Sequence, residues 1–247
     1  MNKLFIIGLG PGADLDLTGR AIRALEQSQV LVGYTVYIDL LREKYSDKEL
    51  ISTPMRTEVE RCMLALRLAQ EGRAAAMVCS GDPGVYGMAG LCFELAEQYP
   101  EVEIEVIPGI TAANAGAAML GAPLMHDFSV ISLSDLITPW DTIARRLRAA
   151  AEADFVICIY NPSSRKRWDY LRKACDILME SREPETPCGL ARNIGRDGES
   201  IELMSLQNLR EAETDMFTTV YIGNRQTKIM NGKLVTPRGY LQRGMRA

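Results

Sequence analysis

The amino-acid sequence predicts an α/β protein of two α/β domains, with a mostly parallel amino-terminal sheet and a mixed carboxyl-terminal sheet. In the first half, short apolar runs that end in turn residues alternate with amphipathic helical patterns. This alternation is typical of parallel strands covered by helices. The second half continues it and adds Asn231-Gly232 between two short apolar segments. That dipeptide is a strong hairpin signal and predicts antiparallel strands.

Each expected element of the first half has a local signal. The strands are apolar runs bounded by turn residues, and they are expected over 3–8, 30–32, 74–79 and 102–107. Thr18 is suited to cap a first helix, and a second amphipathic helix begins at Thr57 or Glu58. Further helices are expected over 88–98 and 112–120.

The second half is divided in the same way. Its expected strands are 128–133, 155–160, 187–191, 218–222 and the hairpin arms 228–230 and 233–235. Its expected helices are 140–151, 168–180 and 206–212. Because Gly121-Ala122-Pro123 stops the preceding helix, the domains are expected to be 1–123 and 124–247.

Composition limits the classes of partner. The chain has 247 residues and a net charge of −4 with no long basic run, so no nucleic-acid surface is expected. Its six cysteines are far apart and form no C-x-x-C pair. This spacing favours reduced core cysteines in a cytoplasmic protein over disulfides or a metal site. No apolar run approaches the length of a membrane span.

The segment Ser80-Gly81-Asp82-Pro83-Gly84-Val85-Tyr86 follows the apolar run 74–79. Two glycines, an aspartate and a proline force a turn at the carboxyl end of that strand. Ligands bind at this end of the strands in open α/β sheets. The same composition also makes turns that hold no ligand, so this segment alone leaves both interpretations open.

A second glycine-rich segment, Gly8-Leu9-Gly10-Pro11-Gly12-Ala13, matches the spacing of the dinucleotide-binding fingerprint. Pro11 removes one of the amides that would face a pyrophosphate, and the next strand lacks an acidic residue for a ribose. The Gly-Lys-Ser/Thr of a nucleotide P-loop is absent. The sequence therefore disfavours a dinucleotide-dependent oxidoreductase but keeps it as an alternative.

Three motifs in order resemble those of the tetrapyrrole methylases, the class III S-adenosylmethionine methyltransferases. They are Gly8-Leu9-Gly10-Pro11-Gly12, Gly81-Asp82-Pro83 and Pro108-Gly109-Ile110-Thr111-Ala112. The resemblance covers essentially the whole chain. The segments 33–34, 121–128, 131–136, 138–140 and 160–162 are similar to the branch that methylates carbon 17 of a corrin precursor, with ring contraction, in cobalamin biosynthesis.

Members of that branch use either metal-free precorrin-3B or cobalt-factor III. Leu124-Met125-His126-Asp127 and the segment Thr236-Pro237-Arg238-Gly239-Tyr240 are more similar to the members that use cobalt-factor III. The resemblance therefore favours the cobalt-containing substrate.

The resemblance implies that S-adenosylmethionine lies in a cleft between the two domains and leaves as S-adenosylhomocysteine. The implied cofactor positions are Pro11, Ser80, Gly81, Asp82, Val85, Tyr86, Thr111, Ala112, Tyr160, Asn161, Ala191, Arg192 and Thr219. The partner is a small-molecule tetrapyrrole, and a homodimer is implied. The expected substrate-binding residues are Gly8, Gly10, Gly12, Ser134, Asp135 and Arg238.

Methyl transfer to an electron-rich ring carbon requires positioning more than a base, whereas ring contraction moves protons that an acid or base assists. His126, the only histidine, and the adjacent Asp127 are the catalytic candidates. A structural role accounts for a lone histidine equally well. Candidate partners for the substrate carboxylates are Arg56, Arg61, Arg192, Arg196 and Arg238.

Two further alternatives share these motifs. One is a sister methyltransferase that acts at another ring carbon, and the other is a non-catalytic tetrapyrrole-binding protein. Methyl gain on a corrin precursor separates the second from an enzyme.

Overall fold

The computed structural model describes residues 2–240. The chain divides into two compact units, of which the first extends to Thr111 and the second begins at Ala112. Both are α/β units, which confirms the predicted fold class. The second unit begins earlier than the boundary expected after Pro123, because the helix Ala112–Leu120 packs on strands of the second unit.

The first unit contains a five-stranded, wholly parallel sheet. Its strands are β1 (Lys3–Gly8), β2 (Val30–Tyr34), β3 (Glu49–Thr53), β4 (Ala75–Cys79) and β5 (Glu103–Ile107). Its helices are α1 (Gly19–Gln27), α2 (Thr35–Leu41), α3 (Glu58–Gln70) and α4 (Ala89–Ala96), with a short 3-10 turn at Asp14–Asp16. The strand order is β3-β2-β4-β1-β5.

Helices cover both faces of this sheet. Leu4 and Ile6 of β1 pack in the core that includes α3 and α4, whereas Phe5 and Ile7 pack in the core that includes α1 and α2. This alternation explains why the strand is apolar throughout. Thr18 caps α1 as predicted, because its Oγ1 accepts a hydrogen bond from the Ala21 amide at 3.0 Å.

The second unit contains a mixed five-stranded sheet and a small three-stranded sheet. Its helices are α5 (Ala112–Leu120), α6 (Trp140–Glu152), α7 (Tyr170–Leu178) and α8 (Leu206–Leu209). Its strands are β6 (Gly121–Ala122), β7 (Phe128–Ser132), β8 (Val156–Tyr160), β9 (Pro187–Arg192), β10 (Ser200–Ser205), β11 (Thr218–Ile222), β12 (Lys228–Met230) and β13 (Lys233–Val235). The orders are β10-β9-β11-β8-β7 and β12-β13-β6.

The predicted mixture of strand directions is confirmed. In the larger sheet β7 and β8 are parallel, and the other neighbouring pairs are antiparallel. The hairpin predicted at Asn231-Gly232 joins β12 to β13. Both turn residues have positive φ, 50° for Asn231 and 72° for Gly232, as the tight turn requires.

Tyr221 of β11 holds the start of α5 against the sheet. Its single hydroxyl hydrogen is shared between the carbonyl oxygens of Ala112 (2.7 Å) and Ala113 (2.9 Å). A Cβ at Gly116 would lie 2.4 Å from this hydroxyl, so the helix approaches because residue 116 has no side chain. Burial raises the pKa of Tyr221, which keeps the hydroxyl a donor.

Four of the helices and strands within residues 2–240 were not predicted: α2, β3, β6 and β10. β6 is only 2 residues long. β3 and β10 are the edge strands of their sheets and are partly exposed along their length. An edge strand lacks the continuous apolar run that marks a buried strand. α2 is only 7 residues long, too short for a clear helical period.

The cysteines are core residues. All six are free and buried. Burial raises the pKa of Cys79 and of Cys175 to about 12, so these thiols are protonated at neutral pH.

None of the helices within residues 2–240 combines the length and apolarity needed to cross a membrane.

One ion pair of the second unit is largely buried. The Arg182 side chain is 2% exposed, and its Nη1 donates to Asp154 Oδ1, whose side chain is 32% exposed. Arg182 Nη2 also donates to the Phe155 carbonyl at 2.8 Å. Asp154 therefore supplies the counter-charge of a buried guanidinium.

We expect Asp154→Asn to lower the free energy of unfolding by about 2 kcal/mol in urea titrations. Removing one partner of a fully buried pair costs about 3–5 kcal/mol, and the partial exposure of Asp154 reduces this. The matched control is Asp176→Asn. Asp176 is exposed and pairs with the half-buried Arg210, so this change should cost less than about 1 kcal/mol. Equal losses in the two variants would contradict this account.

Candidate active site

Three loops meet at the carboxyl edge of the first sheet. They follow β4, β1 and β5, which are neighbours in the sheet, and they contain the segments 80–86, 8–13 and 108–111. Because the strands are parallel, their carboxyl ends share one edge. The structure thus brings together the loops that the sequence assigned to the cofactor and to the macrocycle.

The first two loops are bonded backbone to backbone. Gly10 N donates to Gly81 O at 3.1 Å, and Gly81 N donates to Gly10 O at 2.7 Å. Both residues have positive φ, 71° and 64°, which glycine adopts without steric cost. The two loops are therefore adjacent parts of one surface.

The third loop approaches so closely that side chains have no room. A Cβ at Gly109 would lie 2.1 Å from Gly81 O, and a Cβ at Gly8 would lie 2.6 Å from both Gly81 O and Gly109 N. These neighbours are backbone atoms, which cannot rotate away. We call Gly8, Gly81 and Gly109 the glycine junction.

Asp82 ties two of the loops together. Its Oδ1 accepts from Gly84 N in its own turn (2.8 Å), and its Oδ2 accepts from Gly109 N (3.1 Å). The structure therefore shows the turn-capping role and adds a bond to the next loop. Each carboxylate oxygen has a second lone pair, so Asp82 retains the capacity to accept from a ligand.

The other implied cofactor positions of the first unit are close to Gly8, Gly81 or Gly109 along the chain. Ser80, Val85 and Thr111 are half-buried, and Pro11 is buried. Tyr86 is 56% exposed and has a φ of 52°. Val85 and Tyr86 provide apolar and aromatic surface of the kind on which a heterocyclic base packs. Gly12, a predicted substrate residue, follows Pro11 and is half-buried.

In the second unit, the implied cofactor positions form a row across the sheet. The strands β9, β11, β8 and β7 are successive neighbours. Ala191 pairs with Thr219, and Tyr160 pairs with Ser132. The pairing of β11 with β8 extends to Val220 and Ile159, which are the residues next to Thr219 and Tyr160. Strand register, and not sequence proximity, brings these positions together.

Polar bonds fix this row. Asn161 Nδ2 and Ser134 N donate to Ser132 Oγ at 2.9 and 3.2 Å. The Tyr160 hydroxyl accepts from Ala113 N at 2.7 Å, which brings the start of α5, and with it Ala112, beside the row. Ser132 and Ala113 were not singled out from the sequence. Their only sequence signal is position, at the last residue of a strand and at the start of a helix.

Two predicted site residues have charged groups that the protein already engages. Arg192 donates to Glu202 Oε2 at 2.9 Å and to the Glu213 carbonyl at 3.1 Å. Asp135 accepts from the Tyr170 hydroxyl at 2.7 Å, and this bond raises the pKa of Tyr170. Arg192 and Asp135 thus hold neighbouring segments in place.

His126 and Asp127 lie away from the row. They precede β7, whereas Ser132 is its last residue, and a strand of this length separates its ends by about 15 Å. The Asp127 carbonyl accepts from Val156 N at the start of β8 (3.1 Å). His126 is half-buried, and its side chain makes no hydrogen bond within residues 2–240. Within the second unit, the structure does not bring the catalytic candidates together with the implied cofactor residues.

The remaining features are peripheral to these loops. Arg238 is exposed, with its guanidinium carbon 5.8 Å from the centre of the Tyr240 ring. A cavity of about 680 Å³ in the second unit is lined by residues of 163–172 and 210–216 and by none of the predicted site residues. In the described part of the chain, no group of three or more His, Cys, Asp or Glu side chains is placed to hold a metal ion.

The amino-acid sequence is similar to a family of known proteins. The sequence profile of the tetrapyrrole (corrin/porphyrin) methylases matches residues 3–210. The chain belongs to this family. The match decides against the dinucleotide-dependent oxidoreductase, and it confirms the tetrapyrrole methylase resemblance read from the glycine motifs.

Individual tetrapyrrole methylases are similar over nearly the whole chain. A probable cobalt-factor III C(17)-methyltransferase of Salmonella typhimurium is 48% identical over 238 residues, which is 96% of this chain and 99% of that protein. The solved structure of the methyltransferase CobJ matches with a TM-score of 0.88 and 38% identity, over 95% of this chain and 99% of that one.

A solved structure of lower sequence identity has the same fold. It is the uroporphyrin-III C-methyl transferase of Thermus thermophilus complexed with S-adenyl homocysteine, with a TM-score of 0.72 and 22% identity, over 90% of this chain and 97% of that one. The fold is therefore retained across methylases of different names.

We expect Gly109→Ala to lower the free energy of unfolding by more than about 2 kcal/mol, because the added methyl group would overlap the Gly81 backbone. The matched control is Gly90→Ala in α4, where a Cβ meets no atom within 4 Å. That helical change should stabilise the protein by roughly 0.5–1 kcal/mol. Calorimetric unfolding of both variants would show opposite shifts, and a neutral Gly109→Ala would disprove the close approach.

Proposed function

We propose that this protein transfers a methyl group to carbon 17 of cobalt-factor III, with ring contraction, in cobalamin biosynthesis. The observation that carries the proposal is the 48% identity, over 96% of the chain, to a probable cobalt-factor III C(17)-methyltransferase. The similarity to the CobJ structure supports the same reaction class. Precorrin-3B is the alternative substrate, and methylation at another ring carbon is the alternative outcome.

We propose S-adenosylmethionine as the methyl donor and S-adenosylhomocysteine as the product. Taken separately, each unit has residues whose chemistry suits a part of such a ligand. Asp82 retains lone pairs for hydroxyl or amino donors, and Tyr86 presents an exposed ring. In the second unit, Ala191, Thr219 and Tyr160 lie in one row, where backbone groups at strand ends are suited to an adenine and an amino acid tail.

The donor supplies an electrophilic methyl group, and the chain's own residues position the reactants. The glycine junction keeps the loops after β4, β1 and β5 in one fixed arrangement, because no atom there can rotate away. The backbone bonds between Gly10 and Gly81 hold the loop proposed for the macrocycle, 8–13, beside the loop proposed for the methyl donor, 80–86. Fixed alignment of donor and acceptor is the main requirement of an in-line displacement.

We propose that the tetrapyrrole lies against the loop that contains Gly8, Gly10 and Gly12. Gly8 and Gly10 are buried and shape this loop, and the half-buried Gly12 is the glycine that can approach a flat ring. Ser134 is the better placed polar group of the second unit, since it is bonded to the row through Ser132. We propose that Asp135 also lies at the substrate, with its carboxylate oriented by the hydrogen bond from the Tyr170 hydroxyl. Arg238 is an exposed cation for a peripheral carboxylate.

We propose that His126, with Asp127 beside it, acts in ring contraction and not in methyl transfer. An imidazole ring can both donate and accept a proton, and the half-buried His126 makes no hydrogen bond to the described residues. Its separation from the row that ends in Ser132 argues against a role at the methyl donor. We further propose a cytoplasmic homodimer; six free cysteines support a reducing compartment.

We expect anaerobic incubation of the protein with S-adenosylmethionine and cobalt-factor III to add one methyl group to the tetrapyrrole. Mass spectrometry measures the gain, and NMR locates the methyl carbon. Precorrin-3B is tested in parallel and should react more slowly. No methyl gain with either compound would refute the proposed function, and a methyl group at another carbon would establish the sister activity.

We expect His126→Ala to slow ring contraction at least tenfold while methyl transfer stays within about twofold, because acid or base assistance contributes on the order of 10²–10⁴. Rapid-quench mass analysis separates the methylated and the contracted products. The control is Met125→Ala, an exposed neighbouring position without a proposed role, which should leave both rates unchanged. Unchanged contraction in His126→Ala would leave the histidine a structural residue.

A further inference from the structure

Arg61, in the first turn of α3, is a buried cation that has no acidic partner within residues 2–240. It is 4% exposed, whereas no carboxylate of the described residues forms an ion pair with it. Burying an unpaired charge costs several kcal/mol. The other strongly buried arginine, Arg182, has Asp154 as its counter-charge. Arg61 is therefore an exception that calls for an anion.

The guanidinium of Arg61 is held firmly by neutral groups. Its Nε donates to Thr53 Oγ1 at 2.6 Å, and its Nη2 donates to the Pro54 carbonyl at 2.8 Å. Its Cζ lies 6.0 Å from the centre of the Tyr34 ring. The two bonds and the aromatic ring fix the orientation of the side chain without neutralising its charge.

One edge of the guanidinium remains available. Nη1 makes no hydrogen bond to residues 2–240, and it is not among the buried unpartnered atoms, so it reaches the surface. A fixed guanidinium with one open edge loses little conformational entropy when it binds an anion. This preorganisation is what distinguishes Arg61 from an exposed arginine.

The position of Arg61 relates it to the loop after β4. Thr53 pairs with Tyr34 across β3 and β2, and β2 is the neighbour of β4. The guanidinium thus sits at the carboxyl edge of the first sheet, two strand spacings or about 10 Å from the end of β4. Its positive charge opposes the burial-driven rise in the pKa of Cys79, the residue before Ser80.

We propose that Arg61 binds a peripheral carboxylate of the tetrapyrrole substrate through Nη1, with Tyr34 and Thr53 positioning the guanidinium. The inference rests on the proposed function, because it takes the ligand to be a polycarboxylate macrocycle. Of the five arginines that the sequence offered as carboxylate partners, Arg61 is the one that is buried, fixed and uncompensated. Arg192, in contrast, is bonded to Glu202 and to the Glu213 carbonyl.

The test is equilibrium binding of cobalt-factor III, followed by absorption without S-adenosylmethionine. Arg61→Gln keeps an amide donor for the Pro54 carbonyl but removes the charge, and it should weaken binding about ten- to a hundredfold, the range of a charged hydrogen bond. Arg61→Lys, which keeps the charge without the fork, should fall in between. The matched control is Arg67→Gln, an exposed position on the same helix, with wild-type affinity.

A second ligand separates recognition from folding. Cobalt-factor III with its carboxylates converted to methyl esters should bind wild type and Arg61→Gln equally. Thermal unfolding and calorimetric binding of S-adenosylhomocysteine establish that each variant is folded. If Arg61→Gln is unfolded, the comparison uses the wild type and Arg61→Lys. Equal affinity of the wild type for the ester and for the free acid overturns the inference. A wild-type preference for the free acid that is smaller in Arg61→Lys supports it.

The two proposals fail in distinguishable ways. Unchanged affinity in a folded Arg61→Gln, with normal methyl transfer in the wild type, overturns only the role of Arg61. Arg61-dependent binding without methyl transfer refutes only the proposed reaction.

Discussion

The close approach of three backbone segments at Gly8, Gly81 and Gly109 is the constraint on which the rest of the site depends. A Cβ at Gly8 or Gly109 would overlap backbone atoms of the neighbouring loops, so the loops after β1, β4 and β5 are arranged by what is absent from these positions. Asp82 can bond to Gly109 N only because that approach occurs. The geometry of the loop after β4 is thus a consequence of sheet order combined with glycine.

The second unit reaches a comparable result by different means. There the implied cofactor positions are brought together by antiparallel register across β9 and β11 and by parallel register between β8 and β7. Side-chain hydroxyls then fix the ends, with Tyr221 holding the start of α5 and Ser132 holding Asn161. Close backbone approach and side-chain bonding are alternative ways to preorganise a site, and this chain uses one in each unit.

The sequence predicted what local patterns determine, and it failed where the outcome depends on pairing. Strand-to-turn transitions at Gly8, Cys79 and Ile107 were visible because each apolar run leads into turn residues that include glycine and proline. The edge strands β3 and β10 were missed because their residues are partly exposed. The row from Ala191 to Ser132 could not be derived, since register between distant strands leaves no local trace. The burial of Arg61 also depends on β3, the strand that was missed.

The charged residues fall into two groups, those that bond within the protein and those that remain available to a ligand. Arg192 and Asp135, which look like ligand-binding charges in the sequence, are bonded within the protein, and their energetic cost is met inside the fold. Arg61 is fixed by the neutral groups of Thr53 and Pro54, and no carboxylate of the described residues pairs with it. For a substrate with many carboxylates, such a cation contributes more to orientation than an exposed one, because its direction is set before binding. A donor site fixed by glycines and an acceptor oriented by a buried cation would together align the methyl group without a catalytic base.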